Sequence, residues 1–319
     1  MKVRFWGTRG SIPTSMNAGH VRDKLVEALT VLSEQGLPTS ADAVSSAVDG
    51  LPFHLRGTYG GESSCVQIET GGDSYFVCDM GSGARRLAVD AIGRHGPGNP
   101  QVYNIFQSHV HWDHIMGFPF FIPAFIPGNT IRIHGCHKVL EAAYRRQQAE
   151  PSFPVPFEFL GATIEFVVLE PGQTYQVDGV DVTPFTQMHH GDSYGYRFEK
   201  NGKTVVYSTD SEHKMEDEAE TNHFIDAFRD ADIVIFDSMY TLADAMSLKE
   251  DWGHSSNIVG VELCQMANVR RFCMFHHEPV FSDAQIDGIL ADTRRFEEIT
   301  RTGEPMEVLA AYDGLEVEL

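Results

Sequence analysis

The sequence predicts an α/β chain folded as a four-layer αβ/βα sandwich, two β-sheets face to face with helices on their outer sides. Three observations predict it. Short apolar runs of strand length recur along all 319 residues, interleaved with helical patterns but without βαβ regularity. Apolar residues make up 42% and charged residues 22%, enough for a substantial core. No linker rich in Gly, Ser or Pro divides the chain and no repeat is evident, so one domain spanning residues 1–319 is expected.

The elements follow in order. Strands are expected at residues 3–6, 65–69, 75–78, 102–106, 130–134, 164–169, 180–185, 194–199, 204–208, 233–236 and 272–275. The pair 194–199 and 204–208 flanks Lys-Asn-Gly-Lys, a hairpin signal because Asn-Gly accepts φ > 0. Helices are expected at 137–148, 222–229, 255–267 and 282–299; in the first, Val139, Ala142, Ala143 and Arg146 recur at helical spacing. Residues 15–56 stand apart. Val21, Leu25, Leu29 and Leu32 form a helical stripe, Gly36 is a C-cap, and ADAVSSAV reads as a second short helix. This segment looks like a helical insert between two glycine-bearing turns, GTRGSIP and GTYGGESS: a surface excursion, a substrate lid or a dimer contact.

Charge and cysteine usage narrow the function. With 24 Lys and Arg against 45 Asp and Glu, the net charge is −21, a surface that repels nucleic-acid phosphates and anionic lipid. No run approaches the roughly 20 apolar residues that span a bilayer, and the opening MKVRFWGTRGSIP has no apolar leader core. Cys65, Cys78, Cys136, Cys264 and Cys273 are scattered and unpaired by motif, as in a reduced, cytoplasmic protein.

The chemistry concentrates at SHVHWDHIMGF. His109, His111, Asp113 and His114 place four metal-competent side chains within six residues, at the end of a predicted strand where the chain turns. Neutral imidazole and carboxylate suit Zn²⁺, with Mn²⁺ or Fe²⁺ as alternatives. One such cluster cannot complete two sites, but the chain offers more: His189 and His190, Asp210 at a strand end, His254 just before a helix, and His276 and His277 after an apolar strand.

These motifs resemble the metallo-β-lactamase superfamily, whose HxHxDH pattern stands here as His109-Val-His111-Trp-Asp113-His114. FVCDMGSG, with Asp79 and Gly81, is similar to the family's first motif. VRFWGTRGSIP, YGGESSC, GHSS and FHHEP resemble the phosphodiesterase branch that includes ribonuclease Z, over residues 3 to about 283 apart from the insert. The resemblance implies two divalent ions. His109, His111 and His189 would hold one, Asp113, His114 and His276 the other, with Asp210 bridging and Asp79 orienting a ligand. The branch pattern puts its histidine six residues before a Gly-Tyr pair, and Gly195-Tyr196 selects His189 over His190. The first histidine after the strand matches the ligand, leaving His277 to support the site or contact substrate.

The expected activity is a phosphodiesterase acting through a metal-bound hydroxide, with Asp113 as ligand and proton acceptor and His254 assisting the leaving group. No basic arm for tRNA is evident, so a small phosphodiester is expected: a cyclic nucleotide, a cyclic dinucleotide or a short oligonucleotide. Trp112, Phe118, Phe120, Phe121, Tyr194 and Trp252 are candidates to stack on a base, and Glu62 departs from the family's Asn. Alternatives are a hydrolase of a β-lactam, lactone or thioester, and a non-catalytic metal-binding signalling module. A di-iron oxidoreductase is disfavoured because His111 stands where that branch carries Glu. A homodimer is a further expectation.

Overall fold

The computed structural model describes residues 1–240 and 253–319. Its strands form two seven-stranded sheets. The first contains β1 (Lys2–Gly7), β2 (Cys65–Glu69), β3 (Tyr75–Cys78), β4 (Val102–Phe106), β5 (Thr130–Gly135) and β6 (Thr163–Val168), with β14 (Glu316–Glu318) beside β1. The second runs in reverse order from β13 (Glu307–Ala310) through β12 (Arg271–Phe275), β11 (Ile233–Asp237), β10 (Lys203–Ser208), β9 (Ser193–Lys200) and β8 (Val180–Gln187) to β7 (Tyr175–Val177).

Three apolar cores follow from the alternation of side chains along these strands. Val3, Phe5, Phe76 and Phe106 of the first sheet meet Val182, Phe198, Tyr207, Ile235 and Phe275 of the second. The first sheet's outer face is covered by α4 (Ala84–His95) and α6 (Leu140–Gln147), through Leu87, Ala88, Ala91, Ala143 and Tyr144. The second's is covered by α7 (Glu218–Phe228), α8 (Asn257–Met266) and α9 (Asp283–Thr300), through Phe224, Phe228, Val261, Leu263 and Ile286. The order is therefore helix, sheet, sheet, helix, the four layers the sequence predicts. The β9–β10 hairpin turns at Asn201 and Gly202, both at positive φ (51° and 70°).

Some elements differ from expectation. α4 was not expected; its buried contacts come mostly from alanine, which carries little periodic hydrophobic signal. β7, β13 and β14 are edge strands of three or four residues, too short to show alternation. In α6 the buried stripe is Leu140, Ala143 and Tyr144, whereas Val139 is exposed.

The segment between β1 and β2 holds α1 (Ala18–Gln35), α2 (Ala41–Asp49) and α3 (Phe53–Arg56). Asn17 caps α1 by accepting from His20 N, and Gly36 ends it at φ 92°. The expected stripe is buried only at Leu32. α1 docks through Ala28, Val31 and Leu32 onto Leu51 and Leu55, leaving Val21, Leu25 and Leu29 outward, 46–58% exposed. Lys24 ties the helix to the body through the Asp283 carboxylate and the Gly57 carbonyl. No helix among the described residues is long and apolar enough to cross a membrane.

Two glycines give predictions of opposite sign. A Cβ at Gly117 would lie 1.9 Å from the Gly81 carbonyl oxygen, so Gly117→Ala should cost about 1–3 kcal/mol as overpacking. Gly288 lies inside α9 with open space around it, so Gly288→Ala should stabilise by about 0.5–1 kcal/mol. Urea unfolding of both variants checks the pair.

Candidate metal centre

β3 and β4 run parallel, as do β10, β11 and β12, so their carboxyl ends open on common sheet edges. Polar side chains gather there because the strands themselves are apolar and the loops beyond them are free to turn. Asp79 follows β3, His109 to His114 follow β4, Asp210 follows β10, Asp237 ends β11 and His276 follows β12. Asp79, Asp210 and His276 each adopt left-handed backbone, at φ 59°, 49° and 59°. A non-glycine residue there costs about 1–3 kcal/mol, so the turn that aims each side chain is held by its surroundings.

The structure brings together His109, His111 and His189 in one group, and Asp113, His114, Asp210 and His276 in a second. His114 Nε2 lies 3.2 Å from both Asp113 Oδ2 and Asp210 Oδ1, and 3.3 Å from His276 Nε2. His276 Nε2 lies 3.3 Å from Asp210 Oδ1. The other Asp210 oxygen, Oδ2, faces His109 Nε2 at 3.7 Å and His189 Nε2 at 3.8 Å. One carboxylate thus presents an oxygen to each group.

The tautomers test whether these residues fit a cation. Asp79 is buried and takes donors on both oxygens: Ser108 N and Gln107 Nε2 on Oδ1 at 2.8 Å, Ser108 Oγ at 2.7 Å and Tyr207 OH at 2.8 Å on Oδ2. His114 Nδ1 donates to Oδ2 at 2.7 Å, which leaves a lone pair on His114 Nε2. His189 Nδ1 donates to the Gly253 carbonyl at 2.7 Å, leaving a lone pair on His189 Nε2. His109 Nε2 is buried with no hydrogen-bond partner. Imidazole nitrogens and carboxylate oxygens therefore converge at close range, a donor set that suits divalent cations. Burial first, then neighbouring imidazoles, drives His109 well below its ordinary pKa, and burial also lowers His111 and His189. These rings are neutral, the form that ligates. Burial would raise the Asp113 and Asp210 carboxyls, but His114 and His276 outweigh it and hold both well below the usual range.

His254 lies against this cluster, its ring stacked on His276 at 5.3 Å between centroids. Its Nδ1 meets Asp237 Oδ2 at 2.8 Å. Burial pulls the ring toward neutrality, but Asp237, then Asp210 and Asp113, raise its pKa to about 9. Asp237 is a residue the sequence reading missed. It is fully buried, also accepts from Met239 N, and ends the apolar run IVIFD; that run was the available signal, matching the one before Asp79.

Other expected residues lie elsewhere. His277 does not face the cluster: its Nε2 donates to the Ala311 carbonyl at 2.8 Å, and burial, then Arg9, depress it to about 3. Adjacent residues project to opposite sides, and His276 takes the inner one. His190 belongs to none of the metal-competent groups among the described residues, whereas His254 joins two further ones, with His189 and Asp210 and with Asp237 and His276. Glu62 accepts from Ser82 Oγ at 2.5 Å, and its carbonyl anchors Thr8 N and Arg9 N. Phe118 and Phe121 are core residues, Tyr194 is half-buried with its ring edge-on to His137, and Trp112 and Phe120 are exposed. Trp252 falls outside the described residues.

A beta-lactamase superfamily domain model matches residues 77–277, more than half of the chain. That match begins after the opening GTRGSIP and YGGESSC motifs. Ribonuclease Z of Oceanobacillus iheyensis is 21% identical over 245 residues, covering 61% of this chain and 77% of that protein. Among solved structures, the metallo-β-lactamase fold protein YhfI of Bacillus subtilis superposes with a TM-score of 0.63 at 16% identity, covering 99% of this chain and 98% of YhfI. A diphosphatase of the PhnP family gives 0.61 at 17% identity, covering 100% and 97%. With the matched model spanning the strand ends that carry the histidine and aspartate cluster, the chain belongs to the beta-lactamase superfamily that this model describes.

Proposed function

We propose that this chain is a binuclear metal-dependent phosphodiesterase acting on a small phosphodiester: a cyclic nucleotide, a cyclic dinucleotide or a short oligonucleotide. In this reading His109, His111 and His189 would hold one ion and Asp113, His114 and His276 the other, with Asp210 placed to serve both. Zinc suits this nitrogen-rich set, with manganese and iron as alternatives. The observation that carries the reading is His254, a ring buried beside the cluster with its Nδ1 2.8 Å from the Asp237 carboxylate. A ribonuclease Z relative and a diphosphatase neighbour support phosphorus as the centre attacked.

Divalent cations bound there supply a water of lowered pKa and neutralise charge on a phosphoryl group. The chain's own residues do the rest. Asp79 fixes the His114 ring, and Asp113, with one oxygen 3.2 Å from His114 Nε2 and 3.4 Å from His276 Nε2, would serve as both ligand and proton acceptor. Asp237 holds Nδ1 of His254, so that its Nε2–H is free to donate to the departing oxygen. The net charge of −21 disfavours a long polyanion. The same proposal takes residues 1–319 as one domain with 15–56 as its insert, in a cytoplasmic protein, consistent with five free cysteines. It includes a homodimer, for which the outward Val21, Leu25 and Leu29 offer an apolar face.

Zinc-loaded protein should hydrolyse bis-p-nitrophenyl phosphate and at least one cyclic nucleotide or dinucleotide, and excess EDTA should abolish both activities. Turnover of nitrocefin or an acyl thioester with no diester cleavage would overturn the reading. His254→Ala should retain both metals while lowering kcat by about 10²–10⁴; unchanged turnover would remove His254 from proton transfer.

A further inference from the structure

His189 is the least supported member of the cluster. The other clustered side chains sit at strand ends or on the short helix Trp112–Ile115 and the turn leading into it, whereas His189 lies in the loop between β8 and β9. Its ring is held instead by a closed circuit of hydrogen bonds drawn from three separate segments. Glu212 N donates to the Met188 carbonyl at 2.9 Å. Glu212 Oε2 accepts from Gly253 N at 3.3 Å. The Gly253 carbonyl accepts from His189 Nδ1 at 2.7 Å and closes the ring. We propose that Glu212 is a positioning residue for this centre, setting the tautomer and orientation of His189 by anchoring the backbone of Gly253.

The chemistry favours this route. The Gly253 N–H and C=O belong to successive peptide groups, so Glu212 acts by position: accepting from the N–H fixes where Gly253 sits and where its carbonyl meets the imidazole N–H. A histidine whose Nδ1–H is held in this way presents Nε2 as a lone pair, the form a metal takes. Gly253 is required by space as well as by conformation. Its φ is +80°, and a Cβ there would fall 2.4 Å from His189 Nδ1. The same peptide leads into His254, whose ring lies 5.2 Å from that of His189. Glu212 thus sets both a nitrogen of the cluster and the segment that carries the proton donor. Lys214 Nζ lies 4.0 Å from Glu212 Oε1.

The inference rests on the binuclear reading for its consequence, and two readouts keep the failures apart. In metal-free protein, long-range ¹H–¹⁵N correlation should show the His189 Nδ1–H tautomer in wild type and in Glu212→Gln, whose amide oxygen still accepts. Glu212→Ala and Gly253→Ala should both show a tautomer mixture. In zinc titration against a competing chelator, these two variants should lose one of two sites by about ten- to a hundred-fold, with Glu212→Gln close to wild type. Unchanged His189 tautomer or unchanged zinc affinity in Glu212→Ala would overturn the role, as would equal weakening in Glu212→Gln. A wild type binding fewer than two zinc ions, with the tautomer shift still present, would sink the binuclear reading and leave the positioning role standing.

Discussion

The structure turns on the Asp210 carboxylate, which offers one oxygen to His114 and His276 and the other to His109 and His189. Four imidazole nitrogens and a second carboxylate close around it, almost fully buried. Without positive charge between them these groups would repel one another in a low-dielectric site, where an unpaired charge is far more costly than in water. His114 and His189 turn Nδ1 outward, to Asp79 and to Gly253, and present Nε2 to the cluster; the carboxylates around His114 raise its pKa well above the ordinary value, the pull toward positive charge that a cation would satisfy. The cluster is therefore a cavity shaped for cations, and the surrounding fold serves to hold its members at close range.

That holding is distributed over the two sheets. β3 and β4 come from one sheet and β10, β11 and β12 from the other, so the site exists only where the two meet. The apolar core between them, with Phe76 and Phe106 facing Tyr207 and Phe275, sets the distance. Tyr207 does both tasks: its ring packs in that core while its hydroxyl donates to Asp79. The left-handed turns at Asp79, Asp210 and His276 are local strain that the same packing offsets. Gly10 shows how tightly the first strand's continuation is fitted, since a Cβ there would lie 2.8 Å from the His276 ring.

Much of this was legible in the sequence. Four metal-competent side chains in six residues are improbable as ordinary surface, and the apolar runs before Asp79, Asp210 and His276 placed them at strand ends. Asp237 was not, because a lone aspartate after a strand more often closes a turn, and only the fold shows His254 beside it. α4 escaped notice because alanine supports a helix without marking a face. The stripe Val21–Leu25–Leu29 misled in the opposite sense: spacing tells which residues share a face of a helix, not whether anything covers that face. His276 and His277 are equivalent by composition, and the backbone turn after β12 separates them.

The central claim is that the clustered side chains grip two cations across Asp210. Anomalous X-ray scattering from zinc-saturated crystals, recorded on both sides of the zinc absorption edge, tests it most directly. Two peaks are expected, one enclosed by His109, His111 and His189 and one by Asp113, His114 and His276, each in contact with a different Asp210 oxygen. A single peak, or zinc bound away from Asp210, would contradict it.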